Sequence, residues 1–181
     1  VGIRNDWAIM LIGIIGIQGQ GKTVSMTAYG MMVAMATQQK LYANYNLYGV
    51  DYTKIHDFKE LKSINSGIVL LDELWLSMDS RSSQTRVNKA FTGWLQQTRK
   101  KDLVVFYTTQ LFSQVDYRLR QATEWIVSCS KSNRGIMLTF VNVPTGEVGR
   151  RVLLSDPQKF YENYNTYEVV EPITFEDTVG D

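Results

Sequence analysis

Apolar and polar positions along this chain mark out its skeleton before any chemistry is considered. Ala8 to Ile15 is apolar throughout and stops at a glycine, as expected of a strand buried on both faces. Val24 to Gln39 carries Met26, Tyr29, Met32, Val33 and Met35, which predicts a helix packing these bulky groups on the core. Leu41 to Leu47 is a short aromatic strand candidate, and Asp57 to Ile64 a short surface helix. Gly67 to Leu71 is again uninterruptedly apolar and ends in two carboxylates, Asp72 and Glu73. Val87, Ala90, Phe91, Trp94 and Leu95 recur at i, i+3, i+4, i+7 and i+8, one face of an amphipathic helix. Leu103 to Tyr107 reads as another buried strand closing on Thr108-Thr109-Gln110, and Thr123 to Cys129 as a fifth. Gly135 to Val143 and Val148 to Leu154 flank Pro144-Thr145-Gly146, a hairpin signature.

Strands alternating with helices predict an α/β fold with a central, mostly parallel sheet flanked by helices and a β-hairpin toward the C-terminus. With 181 residues the chain supports one domain with a real core, placed at residues 1–155. Residues 156–181 form an acidic, aromatic tail without helical period, expected to wrap the domain or reach a neighbour. The stretch from Trp7 to Ile17 has an apolar core of about ten residues, against the ~20 a membrane helix needs, and runs into a glycine-rich loop. The sequence is therefore expected to hold no signal peptide or membrane-spanning segment.

The net charge of +1 excludes a uniformly basic protein, so a polyanion would have to meet a local patch. A single cysteine, Cys129, excludes an internal disulfide, and a single histidine, His56, excludes a histidine metal cluster.

The sharpest motif is Gly16-Ile17-Gln18-Gly19-Gln20-Gly21-Lys22-Thr23, which fits G-x-x-x-x-G-K-[ST] between a predicted strand and a predicted helix. Glycines let backbone N–H groups form a nest for phosphate oxygens, and the helix N-terminus adds its positive dipole end. Gly16, Gln18, Gly19, Gln20, Gly21, Lys22, Thr23 and Val24 are the expected ATP-binding residues. Lys22 would reach the β- and γ-phosphates, and the Thr23 hydroxyl would join the Mg²⁺ shell. Asp72, ending a central strand, would hold Mg²⁺ through water opposite Thr23, while Glu73 would polarise a water in line with the γ-phosphate. A small-molecule kinase needs no such base, so the pair favours hydrolysis. Gln110 should end the strand lying between the loop strand and the Asp72 strand, where its amide can sense the γ-phosphate.

Hydrolysis at such sites depends on a guanidinium, often supplied by a neighbouring subunit. Arg81, Arg86, Arg99, Arg118 and Arg120 are the candidates, with Arg99, Arg118 and Arg120 favoured; basic residues at a helix C-terminus also serve its dipole with no catalytic role. Arg81 to Lys101 holds Arg81, Arg86, Lys89, Arg99, Lys100 and Lys101 and no acidic residue. This suits sequence-independent contact with a phosphate backbone, a solvated helix face being the alternative.

In order and spacing, the Gly16–Thr23 loop, Leu70-Leu71-Asp72-Glu73, and Gln97-Thr98-Arg99-Lys100-Lys101 leading into Tyr107-Thr108-Thr109-Gln110 resemble the FtsK–HerA superfamily of P-loop ATPases. Asp116-Tyr117-Arg118-Leu119-Arg120 and Tyr164-Asn165-Thr166-Tyr167-Glu168 further resemble small viral genome-packaging ATPases and zonula-occludens-toxin-like proteins. The resemblance covers roughly residues 8 to 130 and implies a RecA-like (ASCE) sheet. It also implies a homo-oligomeric, hexameric ring, an arginine completing the neighbour's site, and ATP-driven movement of double-stranded DNA. A viral packaging motor would dock on capsid vertex proteins, in the infected cell's cytoplasm or on the virion. The alternatives are a filamentous-virus assembly ATPase, a small-molecule kinase, and a nucleotide-dependent switch that barely turns over.

Overall fold

The computed structural model describes residues 10–74, 86–98, 100–165, 167–171, 173 and 174. Its elements in chain order are β1 (Met10–Ile15), α1 (Lys22–Thr37), β2 (Leu41–Ala43), β3 (Thr53–Lys54), α2 (Phe58–Ser63), β4 (Ser66–Leu71) and α3 (Arg86–Thr98). There follow β5 (Asp102–Thr109), α4 (Tyr117–Ala122), β6 (Trp125–Ser132), β7 (Gly135–Asn142) and β8 (Val148–Leu154). The eight strands form one sheet in the order β3-β2-β4-β5-β1-β6-β7-β8. Every pairing from β3 through β6 is parallel, and β7 and β8 add an antiparallel extension.

Alternation along the central strands divides the core into two layers. Ile12, Ile14, Ile68, Leu70, Val104 and Phe106 point to the α1 face. Leu11, Val69, Leu71, Val105 and Tyr107 point to the face covered by α3 and α4, where Phe91, Trp94 and Leu119 meet them. A parallel sheet covered on both sides explains why β1, β4 and β5 read as unbroken apolar runs.

Two packing details depart from expectation. Met26 and Val33 of α1 are buried, but Met32 and Met35 are 45% and 76% exposed. The cause is close approach: a Cβ on Gly30 would lie 2.5 Å from Leu70 Cδ2, so small residues such as Ala28, Gly30 and Ala34 form the packed stripe. In α3, Phe91, Trp94 and Leu95 are buried whereas Ala90 is exposed, which narrows the predicted stripe. On this same face Gly13 makes room for an aromatic ring. A Cβ there would lie 2.7 Å from the Tyr107 hydroxyl, which hydrogen-bonds Thr123 Oγ1 at 2.8 Å.

After β8 the chain forms 3₁₀ turns over Pro157–Asn163, packed on α1, and then runs extended. Tyr164 and Val170 are buried in the α1-face core. Tyr48 N–H donates to Asn163 O at 2.9 Å, Leu47 bridges Tyr164, and Asp57 bridges Thr174. The segment thus straps the α1 face from the β8 edge of the sheet to the β2–β3 edge.

Candidate active site

The loop between β1 and α1 is bent by left-handed residues, Gly19 at φ 79° and Gly21 at φ 85°. At Gly21 an added Cβ would also run into Ile136 Cδ1, so only glycine fits. The first helical bond of α1 runs from Ser25 N–H to Gly21 O. The N–H groups before it therefore have no intrahelical partner and face the loop's concave side, as an anion requires. Lys22 Nζ donates to Ile17 O at 3.3 Å, folded over the same concavity. Gln20 Oε1 accepts from Lys131 N–H at 2.7 Å, which ties the loop to β6.

Asp72 follows β4 directly and is buried. Its carboxylate accepts from Thr23 Oγ1 at 3.1 and 3.2 Å and from Thr108 Oγ1 at 2.6 Å. Burial pushes its pKa up; the two hydroxyls and the Lys22 ammonium oppose that, and the Glu73 charge adds to it. Its main chain is clamped by Asn44, whose Oδ1 accepts from Asp72 N–H at 2.7 Å and whose Nδ2 donates to Asp72 O at 3.0 Å. The amide here substitutes for the next rung of the β2–β4 ladder.

Glu73 takes a left-handed conformation, φ 50°, which turns the chain out of the strand line. Its N–H donates to Thr108 Oγ1 at 2.8 Å. Thr108 thus receives from one acidic residue's backbone and donates to the other's carboxylate.

A hydroxyl and a buried carboxylate are hard oxygen donors, and they suit Mg²⁺. Among the described residues no three His, Cys, Asp or Glu side chains cluster as a metal cage. Thr23 and Asp72 would hold the ion.

These groups open on a cleft of about 710 Å³. Gln18, Gly19, Gly21, Lys22, Thr23 and Val24 line one side, and Asp72 and Glu73 the end. Tyr161, Tyr164, Asn165 and Glu168 of the strap also line the cleft, as does Lys131. Of the remaining expected residues, Gly16 ends β1 at the loop's entrance and does not line the cleft. Gln110 follows β5, and β5 pairs with both β1 and β4, so its strand lies where the sequence reading placed it. The side chain itself is exposed and does not line the cleft.

Arg118 is exposed on α4, and the Arg120 guanidinium sits 5.9 Å from the Tyr117 ring centroid; neither lines the cleft. Arg81 and Arg99 lie outside the described residues. In the basic run, Lys89 and Lys100 are exposed. Lys101 is committed instead to Lys62 O and Ile64 O at 2.7 and 2.8 Å, where it satisfies the end of α2.

Sequence reasoning did not single out Asn44, Lys131, Tyr161 or the clamping role of Thr108. A polar residue ending a strand looks like a terminator, and only the register shows which carboxylate it serves.

No protein-family model matches the chain, and no curated protein matches it in sequence. Solved structures do. The N-terminal domain of zonular occludens toxin from Neisseria meningitidis superposes with a TM-score of 0.62 at 18% identity, over 87% of this chain and 99% of that one. The genome packaging NTPase B204 from Sulfolobus turreted icosahedral virus 2, in complex with ATP-gammaS, gives 0.60 at 11% identity, over 80% and 97%. The flagellar accessory protein FlaH from Methanocaldococcus jannaschii gives 0.52 at 11%, over 81% and 84%. Proteins with different roles share this scaffold, so the likeness speaks to fold. With its loop between β1 and α1 and β5 inserted between β1 and β4, the chain has the α/β fold of the P-loop NTPases, in a form similar to the zonular occludens toxin domain and to B204.

Proposed function

We propose that the chain is an ATP-hydrolysing motor that moves double-stranded DNA without reading its sequence. It works as a homo-oligomeric, hexameric ring that packages a viral genome at a capsid vertex. The observation that carries the hydrolase reading is the Asp72–Thr108–Glu73 arrangement. One carboxylate is fixed beside Thr23, and the other belongs to a residue that a left-handed backbone turns out of the strand line and that also lines the cleft.

The loop amides and Lys22 bind and orient the phosphates, and Thr23 and Asp72 would hold Mg²⁺, which would offset phosphate charge. Glu73 accepts a proton from water as its oxygen bonds the γ-phosphorus. The bond from that phosphorus to the bridging oxygen breaks, giving ADP and phosphate. Arg99, Arg118 or Arg120 of a neighbouring subunit completes the charge stabilisation. DNA contact is supported by exposed Lys89 and Lys100 within the basic run and by the role of B204 in genome packaging. A second reading, a filamentous-virus assembly ATPase, is favoured by the match along 99% of the zonular occludens toxin domain.

The test is ATP hydrolysis with and without long double-stranded DNA at low salt, with Glu73→Gln alongside. Stimulation by DNA that falls steeply with salt and disappears in the variant supports the motor. Hydrolysis indifferent to DNA at ring-forming protein concentrations overturns it. Hydrolysis that instead responds to coat protein moves the assignment to the assembly ATPase.

A further inference from the structure

The groups read as holding phosphate and cation make up only part of the cleft lining. Another part of its wall is supplied by the strap, although it comes from a part of the chain more than a hundred residues away in sequence. Three features make this wall a preformed surface. Glu168 is fixed, accepting from Asn46 N–H at 2.9 Å and pairing with Lys54 Nζ at 3.3 Å. Tyr164 and Val170 are buried in the core beneath it, which holds the backbone in place. Tyr161 packs edge-on against Tyr164, ring centroids 6.4 Å apart at 67°, and stays 37% exposed at the cleft.

Asn165 has its Oδ1 engaged by Tyr167 N–H at 3.0 Å, and its Nδ2 has no hydrogen-bond partner among the described residues. An exposed aromatic ring and an amide donor on a rigid wall, facing a phosphate loop, match the two faces of a nucleoside: an apolar ring system and polar edges. The cation end is fixed at Asp72, so the sugar and base of a bound nucleotide extend away from it, along this wall.

We propose that the strap, over residues 157–165 and 167–170, is the nucleoside-recognition wall of the site. Tyr161 packs on the face of a purine base, and the Asn165 amide donates to an acceptor on the base or ribose. The inference rests on the reading of the loop as a nucleotide site, and the experiment separates the two. It gives the strap a binding role and makes nucleoside affinity, unlike bare polyphosphate affinity, depend on it.

The full chain is titrated calorimetrically with Mg²⁺ and either a non-hydrolysable ATP analogue or inorganic tripolyphosphate. Tyr161→Ala is expected to weaken the analogue about tenfold and leave tripolyphosphate unchanged, with Tyr161→Phe restoring the parent value. Asn165→Ala should give a smaller loss, again confined to the analogue. Lys22→Ala should weaken both ligands. The proposal is overturned if Tyr161→Ala, folded by circular dichroism, leaves the analogue's affinity within twofold or weakens both ligands equally. If Lys22→Ala leaves both ligands unchanged, the nucleotide reading itself fails.

Discussion

Thr108 and Asp72 are joined by the shortest of the contacts around the acidic pair, the Thr108 hydroxyl donating to Asp72 Oδ1 at 2.6 Å. Because the same oxygen accepts from Glu73 N–H, a residue of β5 sets the relative placement of two carboxylates at the end of β4. Thr108→Val keeps the shape and removes both bonds. It should lower kcat about ten- to a hundredfold while ATP-analogue affinity changes severalfold at most, and destabilise the fold by about 1–3 kcal/mol. Steady-state kinetics beside urea unfolding checks both.

Glu73→Gln retains the backbone turn and removes the base. Hydrolysis should fall about 10²–10⁴-fold with nucleotide binding intact, as read by single-turnover kinetics and calorimetry. Equal losses in binding and turnover would place Glu73 in ground-state recognition instead.

Asp72 carries a stability consequence of definite sign. Burial raises its folded pKa above the unfolded value, so between the two values the native state holds a proton that the unfolded chain has released. Stability therefore falls as pH rises from the ordinary aspartate range through the folded pKa, and it stays lower above that. Nucleotide-free Asp72→Asn should melt above the parent at neutral pH, with the gap closing in acid. It should also lose the Mg²⁺-dependent hydrolysis. A variant melting below the parent at neutral pH would show that the charge is already compensated.

The basic run divides by burial. Lys89→Ala and Lys100→Ala should each reduce the salt slope of DNA binding by about one and leave melting unchanged. Lys101→Ala removes the donor to Lys62 O and Ile64 O, so it should lower stability measurably. Filter binding over a salt series and thermal melting separate the two classes.

Glu168→Ala deletes the carboxylate that Asn46 and Lys54 share. It should cost about 1.5–3 kcal/mol in urea unfolding and speed proteolysis within 157–170 ahead of the rest of the chain. Cleavage rates unchanged from the parent would mean that the strap is held by Tyr164 and Val170 alone.

What could be read from the residues depended on how local the information was. β1, β4 and β5 are buried on both faces, so each is an apolar run that needs no partner to be recognised. The β7–β8 hairpin declares itself through Pro144-Thr145-Gly146. The phosphate loop is legible because its glycines, lysine and threonine are contiguous. Asn44 and Thr108 are not, since each acts on Asp72 across strands that only the register brings together. The exposed Met32 and Met35 were misjudged for a related reason: helix periodicity assigns a face, while Gly30 against Leu70 decides which width of stripe the sheet accepts. The strap's bonds to Asn46 and Tyr48 span 122 and 115 residues, beyond any local pattern.

That span also sets an order of events during synthesis. The phosphate loop emerges early, whereas β5 and β6, the strands that flank β1, follow only at Asp102–Thr109 and Trp125–Ser132. The second wall of the cleft cannot close until residue 168 has left the ribosome, because its anchors are Asn46 and Lys54. The strap is thus the last contributor to the cleft lining to be supplied as the chain emerges.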